Sequence, residues 1–207
     1  RMHDIVGPRF SPLGESEATL KDIYSKAFVG LDDAIGEKMQ ACILNAKGAL
    51  NSVGGVIELM AINLPAGLGA PYFDSVESRL SQILFSVPAV KGIEFGEGFG
   101  FAKLTGAEAN DQMHYENGKV RCFTNHNGGI TGGLTNGMPL LFRVAMKPTP
   151  SISREQKTVS LAEKADTTLT IVGRHDPCIV QRAIPVIEAV TAWTLWDLLI
   201  EAKKWEK

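Results

Sequence analysis

The chain has 207 residues, 44% of them hydrophobic, and 21 basic against 23 acidic side chains leave a net charge of −2. That length and composition are enough to bury a core and exclude a disordered chain. The near-neutral balance excludes the basic surplus that duplex nucleic acid or an anionic membrane surface demands.

Cys42, Cys122 and Cys178 lie far apart without CxxC pairing, so a cytoplasmic, reducing setting is expected rather than a disulfide framework. Arg1-Met2-His3-Asp4 leads into Ile5-Val6-Gly7 with no apolar leader, and an opening Arg is expected of a chain that has been cut. Ser16 to Lys26 and Asp32 to Asn51 are helix-permissive. The second carries Ile35, Met39, Cys42, Ile43 and Leu50 near helical spacing, with Asp32 or Asp33 as cap. Gly54-Gly55 ends it, and the apolar run Val56 to Leu64 predicts a central strand. Pro65 to Pro71 is dense in turn residues. Asp74 is the expected cap of a helix whose Val76, Leu80, Ile83, Leu84 and Val87 face a sheet, and Pro88 stops it.

Ala89 to Glu94 and Phe99 to Leu104 predict a hairpin around the glycine corner at 95–98. Thr105 to Lys119 shows no hydrophobic period and is expected as a long surface excursion of the kind that forms lids. A strand over Val120 to Thr124 then precedes Asn125 to Gly137, which holds five glycines in thirteen residues. Leu140 to Met146 predicts a strand, and Pro148 and Pro150 force the chain out of the sheet after it. Thr158 to Thr170 predicts two strand pieces around Glu163-Lys164-Ala165-Asp166. A strand over Thr168 to Val172 and a long apolar helix over Ala183 to Ala202 flank a charged connection. The apolar runs 56–64 and 184–200 are broken by Glu58, Glu188 and Asp197, too soon for a membrane span. Locally connected strands with helices between groups of them predict α+β with largely antiparallel pairing.

That charged connection, Gly173-Arg174-His175-Asp176-Pro177-Cys178, is where chemistry is expected, on a loop held between a strand and a helix. Arg174 can grip an anion and Asp176 can take a proton. The simpler reading pairs Arg174 with Asp176 and leaves His175 on a loop carbonyl. Two other segments suit the same anion. The glycines of Asn125 to Gly137 let backbone amides come close, and Lys147 with Thr149 and Ser151 sets one cation and two hydroxyls on a proline-stiffened backbone. Each is an ordinary bend or turn in isolation. Both nucleotide-binding glycine fingerprints are absent, as is a GxSxG elbow. A zinc set from His175, Asp176 and Cys178 is rejected because Pro177 constrains their convergence and no second His/Cys cluster completes it.

Taken in order, Pro65-Ala66-Gly67-Leu68-Gly69 with Phe73-Asp74, Pro88 to Glu94 with Gly96-Glu97-Gly98-Phe99, Asn125 to Ile130 with Gly132-Gly133, Lys147 to Ile152, and Gly173 to Cys178 with Arg182 to Ala189 resemble the chorismate synthase family. The first fifty residues match it only in general character. The resemblance implies an α+β fold with helices layered between largely antiparallel sheets, and a homotetramer. It implies conversion of 5-enolpyruvylshikimate 3-phosphate to chorismate with reduced FMN, the last common step of aromatic biosynthesis. By position it implies flavin contacts at Pro88, Ala89, Gly132, Lys147, Pro148, Thr149, Pro150, Ser151 and Arg174, with Asp176 as an acid assisting proton transfer. No metal, nucleic acid or membrane is expected.

The family's histidine and arginine motifs of its N-terminal half are not found here, and Gly14-Glu15-Ser16 is followed by Glu17 rather than histidine. Residues 1–207 are therefore expected to be the C-terminal portion of a single domain, incomplete as a fold and weakly active or inactive alone. Two other classes stand beside this enzyme reading. One is a flavin or phosphate-binding module without catalysis. The other is a structural half whose Trp193, Trp196 and Trp205 meet a complementary chain, although core packing is the simpler expectation for those tryptophans.

Overall fold

The computed structural model describes residues 1–204, so Trp205 lies outside the described residues. Helix α1 (Glu17–Ser25) starts where the Ser16 side chain accepts from the Thr19 amide, and α2 (Asp33–Gly48) where Asp32 accepts from the Ile35 amide. Each cap satisfies an amide that the first helical turn leaves unpaired. β1 (Gly55–Ala61) is followed by α3 (Val76–Ser86), β2 (Val90–Phe95), a short helix α4 (Gly106–Ala109), and the hairpin β3 (Met113–Glu116) and β4 (Lys119–Cys122). A two-residue pair, β5 (Ile130–Thr131) and β6 (Leu134–Thr135), precedes β7 (Leu140–Met146). The ribbon β8 (Gln156–Ser160) and β9 (Ala165–Leu169) leads to the long helix α5 (Val180–Lys204).

β7 is the middle of a three-stranded sheet, ordered β1-β7-β2, and all described strand pairings are antiparallel. Its apolar run fixes that place, because Leu140, Leu141, Phe142, Val144 and Met146 are all buried. The expectation of a central strand at Val56 to Leu64 is corrected. β1 is an edge strand with one buried residue, Ile57, and its outer side meets the opening residues through the bridge from Met2 to Gly55 and the bonds between Arg1 and Val56. α3 and α5 lie over the sheet, with Val76, Leu80 and Leu84 meeting Ile187, Leu195 and Leu198 in the core. The α+β class holds, as helices layered on small antiparallel sheets.

Four local expectations change. Ser75, not Asp74, caps α3. Its hydroxyl accepts from the Ser78 amide, while Asp74 ends a single 3-10 turn and faces Arg79 at 3.5 Å. Phe99 to Leu104 is 3-10 helix rather than a strand, so no hairpin forms at 95–98. The Glu94 carboxylate draws the Phe99 amide into a turn at 3.1 Å, and the outer edge of β2 is left unpaired by any described strand. Thr105 to Lys119 is not structureless, since a capping box between Thr105 and Glu108 nucleates α4 and Asn117-Gly118 turns β3 into β4. Core packing of the described tryptophans is overturned as well, because Trp193 is 75% and Trp196 65% exposed.

α5 is long and apolar enough to cross a membrane by length and composition, contrary to the expectation that its carboxylates interrupt it too soon. Here both carboxylates are used within the fold. Glu188 takes a hydrogen bond from the Tyr24 hydroxyl and is pushed up by burial, while Asp197 joins Arg79. Arg79 on α3 also reaches Glu201 at 3.2 Å, with its side chain 21% exposed, and so pins the two helices together. Truncating it leaves two carboxylates of α5 facing each other without a cation. Arg79→Ala is expected to lower stability by about 1–3 kcal/mol in urea unfolding, and Phe142→Ala, at the centre of β7, by about 3–5 kcal/mol.

Candidate functional site

Three segments converge where β7 leaves the sheet. The Lys147 amide donates to the Ala89 carbonyl at 2.9 Å, which continues the β2–β7 pairing one step beyond Val90 and Met146. Ala89 holds φ 73°, a left-handed conformation unusual for a residue with a side chain and of the kind found at ligand clamps. The Ser52 hydroxyl donates to the Thr149 carbonyl at 2.6 Å, and the Val53 amide to the Pro177 carbonyl at 2.9 Å. Gly54 makes this possible, because a Cβ there would stand 2.4 Å from the Met146 carbonyl oxygen and 3.0 Å from Pro148. Pro88, Ala89, the run Lys147, Pro148, Thr149, Pro150, Ser151, and the loop of Arg174 and Asp176 therefore belong to one end of the sheet.

Within this cluster the simple pairing of Arg174 with Asp176 does not occur. Asp176 accepts from the Cys178 amide at 3.1 Å and forms an ion pair with Arg182 at 2.8 Å, so both its oxygens are held. His175 does approach a loop carbonyl, with Nε2 3.2 Å from the Ile171 oxygen. Arg174 and Lys147 are exposed and form no ion pair among the described residues. The Thr149 hydroxyl is buried and has no hydrogen-bond partner. Two unpaired cations and an orphaned hydroxyl are groups of the kind that a phosphate takes as donors. Cys178 is buried among Met2 and Val180, and burial pushes its thiol up, which makes it inert rather than nucleophilic.

Gly132 is not brought to this cluster. It sits at the tip between β5 and β6, beside Gly133, whose carbonyl accepts from the Val76 amide at the start of α3. Ala89 and Lys147 lie past the other end of that helix, about 16 Å away for eleven residues at 1.5 Å each. Gly132 is exposed with φ 60°, and a Cβ on it would meet nothing within 4 Å, so it borders open space.

A residue that sequence reasoning missed organises this glycine loop. Asp111, inside the expected surface excursion, has a side chain only 4% exposed. It accepts from the Thr124 hydroxyl at 2.7 Å, the His126 amide at 2.8 Å, and the Asn127 amide and carboxamide at 2.9 and 2.8 Å. His126 Nδ1 lies 3.1 Å from the same carboxylate. Asn125 pins the other side of the loop, donating to Pro12 and Pro139 and accepting from the Gly129 amide. The signal was the Asn-His-Asn run itself, whose amides and side chains need an internal acceptor once buried.

The molecule is thus an α+β chain with an anion-directed cluster at one end of a small antiparallel sheet and a carboxylate-organised glycine loop at the other. Residues 6–200 match the family model for chorismate synthase. A chorismate synthase of Thermococcus gammatolerans is 49% identical over 175 residues, covering 84% of this chain and 49% of the relative. One from Pyrococcus abyssi is 46% identical over 200 residues, covering 96% and 56%. A crystal structure of chorismate synthase superposes with a TM-score of 0.72 at 30% identity, over 89% of this chain and 48% of that one. The chain belongs to the chorismate synthase family, and it spans about half the length of the curated relatives it matches.

Burial alone would push the Asp111 carboxyl up, but the bonds from Asn127, Thr124 and His126 outweigh it and hold the group below its ordinary value of 3.8. A depressed folded value gives stability that is present above the unfolded value and lost as pH falls through the folded one. Asp111→Asn is therefore expected to lose about 2 kcal/mol at pH 7, with the deficit shrinking as pH falls below the ordinary carboxyl value of 3.8, in urea melts at a series of pH values.

Proposed function

We propose that this chain furnishes the flavin-phosphate side of an enzyme that converts 5-enolpyruvylshikimate 3-phosphate to chorismate by anti 1,4-elimination of phosphate and a proton. Support comes from the match of residues 6–200 to the family, joined to a cluster whose cations and buried hydroxyl lack partners. Lys147, Thr149 and Ser151 would hold the phosphate of FMN, with Arg174 contributing charge from the neighbouring loop and Pro88 and Ala89 bordering it. Reduced FMN supplies electron density to the allylic system while phosphate departs, with no net redox change. Asp176 takes up a proton at a carboxylate that Arg182 and the Cys178 amide keep in one orientation. Gly132 borders open space about one α3 length from Lys147.

The intact enzyme is proposed to be a cytoplasmic homotetramer acting on this small molecule. Free Cys42, Cys122 and Cys178 fit a reducing compartment. This chain alone offers the substrate's carboxylates and phosphate few unpaired cations, so chorismate formation by it is expected to be absent. Turnover at the rate of a full-length relative, followed by chorismate absorbance, would overturn that. Flavin binding without chorismate formation is also what the second reading, a binding module, requires. Full-length protein carrying Asp176→Asn separates the two, because only the enzyme loses turnover.

FMN titrated into the chain, followed by flavin fluorescence, is expected to bind about tenfold more weakly after Lys147→Ala. Thr149→Val gives a sharper contrast. Removing a buried hydroxyl without a partner is expected to leave the free chain as stable, or more stable by up to about 1 kcal/mol, while flavin affinity falls about tenfold.

A further inference from the structure

The end of the sheet remote from Lys147 holds a cleft of about 550 Å³ that the proposed reaction does not use. Its walls are the segment around Glu15, the residues after β1 including Asn63, the hairpin β3–β4, and Met138. It opens beside Ala61 and Leu140, about 20 Å along β7 from the flavin-side cluster.

His114 and Arg121 are direct cross-strand neighbours in this hairpin, so two groups able to carry positive charge stand side by side on one face. Neither has a carboxylate within ion-pair distance among the described residues. Arg121 spends one nitrogen on the Gly137 carbonyl at 2.8 Å. The His114 ring is stacked on Phe123 with centroids 4.1 Å apart, and its Nδ1 is buried without a hydrogen-bond partner. The next pair on the same face, Glu116 and Lys119, is matched in charge by register. Glu15 lines the opposite wall and accepts from the Ser11 amide at 2.7 Å. Cys122 adds no charge, since burial and the nearby Asp111 carboxylate push its thiol up.

We propose that this cleft binds a small monocarboxylic acid with an apolar body, its carboxylate on the free fork of Arg121 beside His114. Arginine presents two parallel donors that match a carboxylate, and a cleft of this size takes a small aromatic or aliphatic acid of up to about twenty heavy atoms. Glu15 on the wall disfavours a doubly charged phosphate. Leu13, Ile62 and Met138 supply the apolar wall.

Benzoate is the probe, titrated into the ¹⁵N-labelled 207-residue chain while backbone amide shifts are followed. Saturable shifts at His114, Arg121 and Gly137 are expected, with affinity about tenfold lower for Arg121→Gln and for Asn63→Asp, which adds a negative charge to the wall, and unchanged for Lys119→Gln. Inorganic phosphate is expected to bind about tenfold more weakly than benzoate. Asn63→Asp keeps the test independent of whether Arg121→Gln folds. Shifts that do not saturate by about 10 mM benzoate, equal affinity in the wild type and Asn63→Asp, or tighter binding of phosphate would each overturn the proposal.

Discussion

Strand β7 is hydrogen-bonded along both edges, and that double pairing sets where every other part of the molecule must be. Its buried Leu140, Leu141, Phe142, Val144 and Met146 admit no slip, because a shift of one residue would turn the whole apolar set to the other face. The register carries consequences at both ends. Met146 opposite Gly55 and Val90 brings the chain over Gly54 and sets Lys147 against Ala89. Leu140 opposite Ala61 holds the glycine loop and its Asp111 anchor at the far end. Lys147 and the carboxylate-organised loop are thus separated by the length of one rigid strand.

Much of this framework was legible in the sequence. β7 was expected over the residues it occupies, and Ser16 and Asp32 begin their helices where small polar side chains precede helical spacing. Errors arose where tertiary contacts outweighed local pattern. Val56 to Leu64 is as apolar as a central strand, yet its partner on one side is β7 and the other side is an edge. Phe99 to Leu104 alternates plausibly for a strand, but the Glu94 carboxylate takes the Phe99 amide and winds the segment into a 3-10 turn. Asp74 and Ser75 are both competent caps, and one residue of difference lies below what spacing can resolve. The tryptophans of α5 looked like core by composition alone, which carries no information about which face a neighbour covers.

The site was legible as chemistry more than as geometry. Lys147 and the Arg174 loop were matched to an anion from residue types, and the structure ties both through Ser52 and Val53 to the same stretch of backbone. Two partnerships were invisible beforehand. Asp176 is held by Arg182, six residues on, because α5 begins between them and turns the arginine back. Asp111 sits in a polar stretch with no hydrophobic period, and only folding reveals that its carboxylate is buried under the loop it organises.

The ribbon β8–β9 stands between the two cationic loops in sequence, and its strands pair only with each other, with every residue of β9 exposed. Lys147 to Ser151 enters one leg and Arg174 leaves the other, so the two loops are the roots of a single lever. A ribbon of two strands has little rigidity of its own in water. Any contact that orders the ribbon therefore acts on both of its roots at once, the segment of Lys147 and the loop of Arg174.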